Sequence, residues 1–228
     1  HNTRQTVCTS NMEGKQLTIG FIGGTGRMGV RLAALFGKHH RVLIGSRSAE
    51  KAHEAATQLE VPSAQGMLNE DLIPQSDVVF LLLSGPLDQR HETLKTLAPL
   101  LRDKIIIDCT NVMYFYTEEK WGQVCSTEQN AAALGVPARW ASAFKTNFFT
   151  TLEEPIDKDG IPRDVQVCSD DQEAKKLIMK LINQTGFRAV DCGELKNTRI
   201  VELMGPPFIF KLDKDNTGGQ FLGAWRFR

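Results

Sequence analysis

Gly24, Gly26 and Gly29 stand in the order Gly-x-Gly-x-x-Gly, after the apolar run Leu17 to Ile22 and before the helical pattern Val30 to Phe36. Each glycine has its own task against a pyrophosphate. Gly24 permits a tight turn out of the first strand, Gly26 lets the backbone approach the phosphates, and Gly29 lets the helix pack closely on the strand. A helix that starts near Arg27 points its unpaired amides and positive dipole end at the same place. The order strand, glycine turn, helix, strand is the setting in which this pattern means dinucleotide binding. A plain βαβ connection that binds nothing would not need three glycines in one turn.

The second apolar run, Val42 to Ile44, ends in Gly45-Ser46-Arg47, about 20 residues past the middle glycine. A site for NAD places Asp or Glu there, to accept from the ribose 2′-hydroxyl. A hydroxyl and a guanidinium instead suit a 2′-phosphate, which Arg binds in bidentate fashion. Lys51 follows Arg47 by one helical turn, and Thr25 offers a further hydroxyl. Against the plainer view of Arg47 and Lys51 as solvated surface cations, the absence of an acid at the strand end points to NADP(H).

Composition limits the alternatives. The chain has 228 residues, 41% hydrophobic and 24% charged, with a formal net charge of +0. A neutral balance argues against nucleic acid or an anionic membrane surface as the main partner. No apolar stretch nears the ~20 residues of a membrane span. The polar N-terminus lacks the apolar core of a secretory signal. Met12 is the expected natural start, and residues 1–16 are set aside as disordered or tag-like. Five cysteines show no Cys-x-x-Cys pair and no zinc spacing, so they read as small buried hydrophobes in a reducing, cytoplasmic setting, without disulfide or metal.

Strands and helices must alternate to hold the glycine turn in place. Helices are expected over Ala49 to Glu60, Leu87 to Leu101 and Ser126 to Leu134, and strands near Ser63 to Gly66, Asp77 to Leu83, Lys104 to Asp108 and Trp140 to Phe144. Asp77 to Leu83 is a continuous apolar run, as in a parallel strand buried on both faces. Lys145 to Arg163 reads as a long loop. A second βαβ-like unit follows: a strand Asp164 to Cys168, a helix capped by Ser169 with Gln172 three residues on, a stop at Gly186, and a strand Phe187 to Asp191. Leu195 to Lys211 is expected to be helical and broken by Pro206-Pro207. The expected fold is α/β, a doubly wound parallel Rossmann sheet with a small C-terminal extension. Residues 17–145 would form the NADP-binding domain, and residues 146–228 would complete the sheet and the acceptor site.

The order Gly23-Gly24-Thr25-Gly26, Gly45-Ser46-Arg47, Cys168-Ser169-Asp170-Asp171, Glu173-Ala174-Lys175-Lys176, Asp191-Cys192-Gly193 and Val201-Glu202 resembles the NADPH-dependent deazaflavin reductases, the NADP:8-hydroxy-5-deazaflavin oxidoreductases. It is also similar to the cytosolic oxidoreductase domain of the STEAP metalloreductases. The likeness runs from about Leu17 to the C-terminus. It implies that Thr25, Ser46, Arg47 and Lys51 hold the 2′-phosphate and that Arg27 and Met28 present amides to the pyrophosphate. It further implies that Leu83, Ser84 and Asn111 line the nicotinamide side, and that Ala143 and Phe144 close the site where nicotinamide meets a flavin-like ring. Asn111, Ala143-Phe144 and Asn147 stand closer to the metalloreductase pattern. The ending Gly219 to Arg228 reads as that of a soluble chain.

The reaction implied is hydride transfer between NADPH and a flavin or 8-hydroxy-5-deazaflavin, with ferric reduction as a further use. Such chemistry needs alignment and water exclusion more than a side-chain nucleophile. No serine elbow, paired carboxylates or Cys/His dyad is visible, and the catalytic residue is left unassigned. His39-His40, His53 and His91 read as surface or packing residues. Lys145 is the one charged residue beside the expected nicotinamide site, and the plainer view of it is a solvated loop lysine. Two other functions stay open: reduction of a small imine or keto acid, and an NADPH-binding sensor or scaffold without catalysis. The apolar segment Val201 to Leu212 is left open to packing on its own domain or on a second subunit, the latter giving a homodimer.

Overall fold

The computed structural model describes residues 15–111, 122–205 and 208. Cys8, Met12, Pro206-Pro207 and Gly219 to Arg228 lie outside the described residues. Strands β1 (Thr18–Ile22), β2 (Arg41–Ser46), β3 (Gln65–Leu68), β4 (Val78–Leu81), β5 (Ile105–Asp108), β6 (Arg139–Ser142), β7 (Asp164–Ser169) and β8 (Arg188–Asp191) form one sheet, ordered β3-β2-β1-β4-β5-β6-β7-β8. The chain runs outward from β1 to β3 and then returns to place β4 on the other side of β1. That reversal leaves a crevice beyond the carboxyl ends of β1 and β4, where doubly wound sheets take ligands.

Helices α1 (Arg27–Gly37), α2 (Ala49–Thr57), α3 (Asn69–Leu72), α4 (Leu87–Leu101), α5 (Ser126–Leu134), α6 (Gln172–Gln184) and α7 (Thr198–Met204) fill the connections. β4 shows why a continuous apolar run was needed. Val78 and Phe80 pack into the core on one face, and Val79 and Leu81 into the core on the other. β5 does the same, with Ile105 and Ile107 opposite Ile106.

β1 to β6 pair in parallel, and β7 pairs with β8 in parallel. β6 and β7, however, join antiparallel, through Ala141↔Ser169 and Ser142↔Cys168. The second βαβ unit is therefore set head-to-tail against the first, and the long connection Lys145 to Arg163 lies at the same sheet end as the glycine turn. That connection carries a 3₁₀ turn at Phe149–Thr151 and a bridge between Ile156 and Pro162.

The cap of α6 differs from expectation. Asp171, not Ser169, is the N-cap, accepting from the Ala174 amide at 2.9 Å. Arg139 grips the same carboxylate at 2.6 and 3.1 Å. The Ser169 hydroxyl instead donates to the Trp140 carbonyl at 2.7 Å. The expected long C-terminal helix begins as a 3₁₀ turn, Leu195–Asn197, before α7.

Candidate active site

The glycine turn is held rigidly at its base. The Gly24 amide donates to the Phe21 carbonyl at 3.0 Å and to the Gly45 carbonyl at 2.9 Å, tying β1 to β2. The Gly23 amide donates to Asn69 Oδ1 at 3.0 Å. Gly26 is the N-cap of α1, and no side chain caps that end or places an acid in its first turn. The free amides of α1 thus face the crevice with the positive end of the helix dipole. A Cβ on Gly26 would meet no described atom within 4 Å, so packing does not require a glycine there. A Cβ on Gly29 would lie 2.3 Å from the Gly24 carbonyl oxygen, which makes that glycine a packing requirement.

A cleft of about 550 Å³ opens over this turn. Thr25, Gly26, Arg27, Met28 and Gly29 form its floor, Ser46, Arg47 and Lys51 one wall, and Leu83 and Ser84 the opposite wall. The side chains of Arg47 and Lys51 make no hydrogen bond or ion pair with other described residues, so their charge is available to a ligand. Gly24 lies beneath the cleft and does not line it. Asn69, Gln89, Arg90 and Thr93 also line it and were not legible in the sequence. Asn69 is buried on a single helical turn between β3 and β4, where no periodic pattern marks it.

A second cavity, about 190 Å³, adjoins the first, and Met28 lines both. Asn111, Phe144, Asn147 and Phe149 line it too. The Arg27 guanidinium lies 4.4 Å over the Phe149 ring, and that of Arg31 5.1 Å, which ties the long connection to the start of α1. Ala143 is fully buried and lines neither cavity. Phe144 contributes to the wall at a left-handed φ of 56°, while its ring packs in the core against Phe36, Phe80 and Phe187.

Lys145 corrects one expectation. It is not a solvated loop lysine: its side chain is fully buried. Nζ lies 3.0 Å from Glu202 Oε1 and 3.4 Å from Asp108 Oδ2, in a buried ion cluster. Nζ also donates to the Thr110 carbonyl and, at 2.8 Å, to the Ser126 hydroxyl. Burial by itself would depress the Lys145 pKa, yet the charges of Asp108 and Glu202 outweigh it and hold the pKa above its usual value. Burial pushes the Glu202 carboxyl upward, opposed by Lys145 and by Ser126. The Glu202 carboxylate accepts the Ser126 amide at 3.0 Å, and the Ser126 hydroxyl donates to it as well. Burial favours the neutral form of the nearby thiols, raising Cys109 far above its usual range and Cys125 to about 12.

The doubly wound sheet, its glycine turn and the cleft at the strand ends define a Rossmann-type α/β protein. Residues 18–112 match the family model described as NADP oxidoreductase, coenzyme F420-dependent. The F420-dependent NADP reductase of Methanocaldococcus jannaschii is 33% identical over 213 residues, 85% of this chain and 91% of that protein. This chain belongs to the F420-dependent NADP reductase family of NADP-dependent oxidoreductases. Metalloreductase STEAP3 of Rattus norvegicus is 27% identical over 180 residues, 78% of this chain but 34% of that longer protein. A solved structure from Arthrobacter sp. FB24 superposes with a TM-score of 0.75 at 21% identity, covering 93% of this chain and 100% of the other, and supports the fold.

Proposed function

We propose that this protein transfers a hydride between NADP(H) and a 5-deazaflavin acceptor. One observation carries the reading: a cleft with phosphate-binding features and a smaller, ring-sized cavity adjoin at Met28. The first fits NADP(H) by its donor set. The α1 amides and the open space at Gly26 suit the pyrophosphate. Ser46, Arg47 and Lys51, with Thr25 across the turn, suit the 2′-phosphate. The likeness to F420-dependent NADP reductases favours a deazaflavin over a ferric chelate as the acceptor.

NADP(H) supplies the hydride chemistry. The chain's own residues position and shield it. Leu83 and Ser84 guide the cofactor along the β4 side towards Asn111. Phe144, Phe148 and Phe149 keep the second cavity apolar and exclude water. Lys145, Glu202 and Asp108 are too deeply buried to touch either ring, and they fix the cavity wall. Mixing the protein anaerobically with NADPH and either a 5-deazaflavin, a flavin or a ferric chelate tests the reading. Rapid reduction of the deazaflavin is expected. Tight NADPH binding with reduction of none of the three would point to a sensor instead.

A further inference from the structure

The second cavity holds an unusual pair of side chains. Asn111 Nδ2 donates to the Lys145 carbonyl at 3.1 Å, and Asn147 Nδ2 donates to the Asp164 carbonyl at 3.0 Å. A backbone carbonyl can only accept, so these bonds fix which end of each amide is nitrogen. Both free ends are therefore carbonyl oxygens. Asn111 Oδ1 and Asn147 Oδ1 are buried and have no hydrogen-bond partner among the described residues, and Asn147 as a whole is only 6% exposed. A buried acceptor left unpaired is destabilising and calls for an explanation.

The other polar side chains of the cavity are already engaged. Thr146 Oγ1 donates to Gln166 at 2.5 Å, and the Lys145 ammonium is turned to Glu202 and Ser126. Burial keeps Cys109 a neutral thiol. Phe144, Phe148 and Phe149 supply the apolar wall. The side chains thus offer two hydrogen-bond acceptors beside an apolar wall. That arrangement favours a flat ring with an N–H edge.

We propose that Asn111 and Asn147, whose Oδ1 atoms are unpaired acceptors at one cavity, select ligands that bring an amide-type N–H donor to them. Building on the hydride-transfer reading, two ligands offer that chemistry: the carboxamide of the nicotinamide and the imide N–H of a deazaflavin or flavin ring. Asn147 becomes a specificity residue in either case, and a quinone, which has no N–H, is disfavoured.

Binding, not turnover, tests this on the wild-type chain. Affinity for NADP+ is compared by calorimetry with that for its 3-acetylpyridine analogue, whose methyl ketone lacks the N–H. Affinity for a 5-deazaflavin, in the presence of NADP+, is compared by fluorescence with that for its N3-methyl derivative. One of the two analogues should bind about tenfold more weakly than its parent, the loss of one good hydrogen bond to a buried acceptor. The arm that shows the loss identifies the donor. Asn147→Leu and Asn111→Leu, checked for folding by circular dichroism, should shrink that difference to within about twofold. Both analogues binding like their parents, or a difference that persists in both folded variants, would overturn the proposal. Should the variants not fold, the wild-type comparison decides alone. A protein that shows the N–H preference but reduces no acceptor would sink the hydride-transfer reading and leave this one standing.

Discussion

Lys145 Nζ lies 3.0 Å from Glu202 Oε1, and neither side chain reaches solvent. One end of this pair follows β6 and the other sits on α7, so the contact fastens α7 to the sheet. Asp108, at the end of β5, completes the cluster and is itself held by Thr110 at 2.8 Å and Asn130 at 3.2 Å. The same lysine presents its carbonyl to Asn111 in the second cavity.

Removing one partner of such a pair leaves an uncompensated buried charge. Lys145→Met is expected to lower unfolding free energy by about 3–5 kcal/mol. Adding Glu202→Gln to Lys145→Met should restore part of the loss, because the second substitution removes the stranded carboxylate. Urea denaturation of the wild type, the two single variants and the double variant gives the coupling directly. Additive losses would show that the two groups do not interact.

Gly26 and Gly29 lie three residues apart and should fail differently. Gly26→Ala has open space for its Cβ and a φ of −78°, so the fold should keep its stability. Its methyl group would occupy the phosphate approach, and NADPH should bind about tenfold or more weakly. Gly29→Ala drives a Cβ to 2.3 Å from the Gly24 carbonyl and should destabilise the protein by about 1–3 kcal/mol or more. Thermal melts together with NADPH titrations separate the two outcomes.

Arg47 and Lys51 are expected to set the preference for NADPH over NADH. Arg47→Asp replaces a donor to the 2′-phosphate by an acceptor for a 2′-hydroxyl. NADPH affinity should fall by about 10- to 100-fold while NADH affinity holds or rises. Titration with each dinucleotide checks this, and an unchanged preference would remove Arg47 from the site.

His40 supplies a pH dependence. It is 3% exposed, accepts weakly from the Leu17 amide and pairs through Nε2 with Gln184 at 3.0 Å. Burial holds its pKa below the ordinary value, with the Gln184 bond opposing and the neighbouring His39 assisting. A depressed folded pKa means that the stabilisation is complete above the unfolded value near 6.5 and is lost as pH falls through the folded value. Stability should therefore decline on acidification below about pH 6.5, by at most about 1.4 kcal/mol per pH unit for this one proton. Denaturation curves from pH 7.5 to 5 (about the relevant window) should be flatter for His40→Gln.

Much of the frame was readable from local pattern. α4 and α5 begin and end where periodicity and breakers placed them, and the cleft gathers Thr25, Ser46, Arg47 and Lys51, which charge and spacing had singled out. What escaped depends on contacts distant in sequence. Lys145 looked like a loop lysine because Asp108, Ser126 and Glu202 reach it from three other elements. Asp171 displaced Ser169 as the cap because Arg139, from the neighbouring strand β6, fixes its carboxylate. The antiparallel join of β6 and β7 left no mark either, since a buried strand looks alike in both directions.

The central claim is direct transfer of hydride from NADPH to the acceptor ring across the two adjoining cavities. Its most direct test is single-turnover reduction of a 5-deazaflavin with NADPH carrying deuterium at C4, in ordinary water, with the product read by mass spectrometry. The account predicts that the label arrives on the deazaflavin ring. Reduction without transfer of label, or no reduction by a protein that binds NADPH tightly, would contradict it.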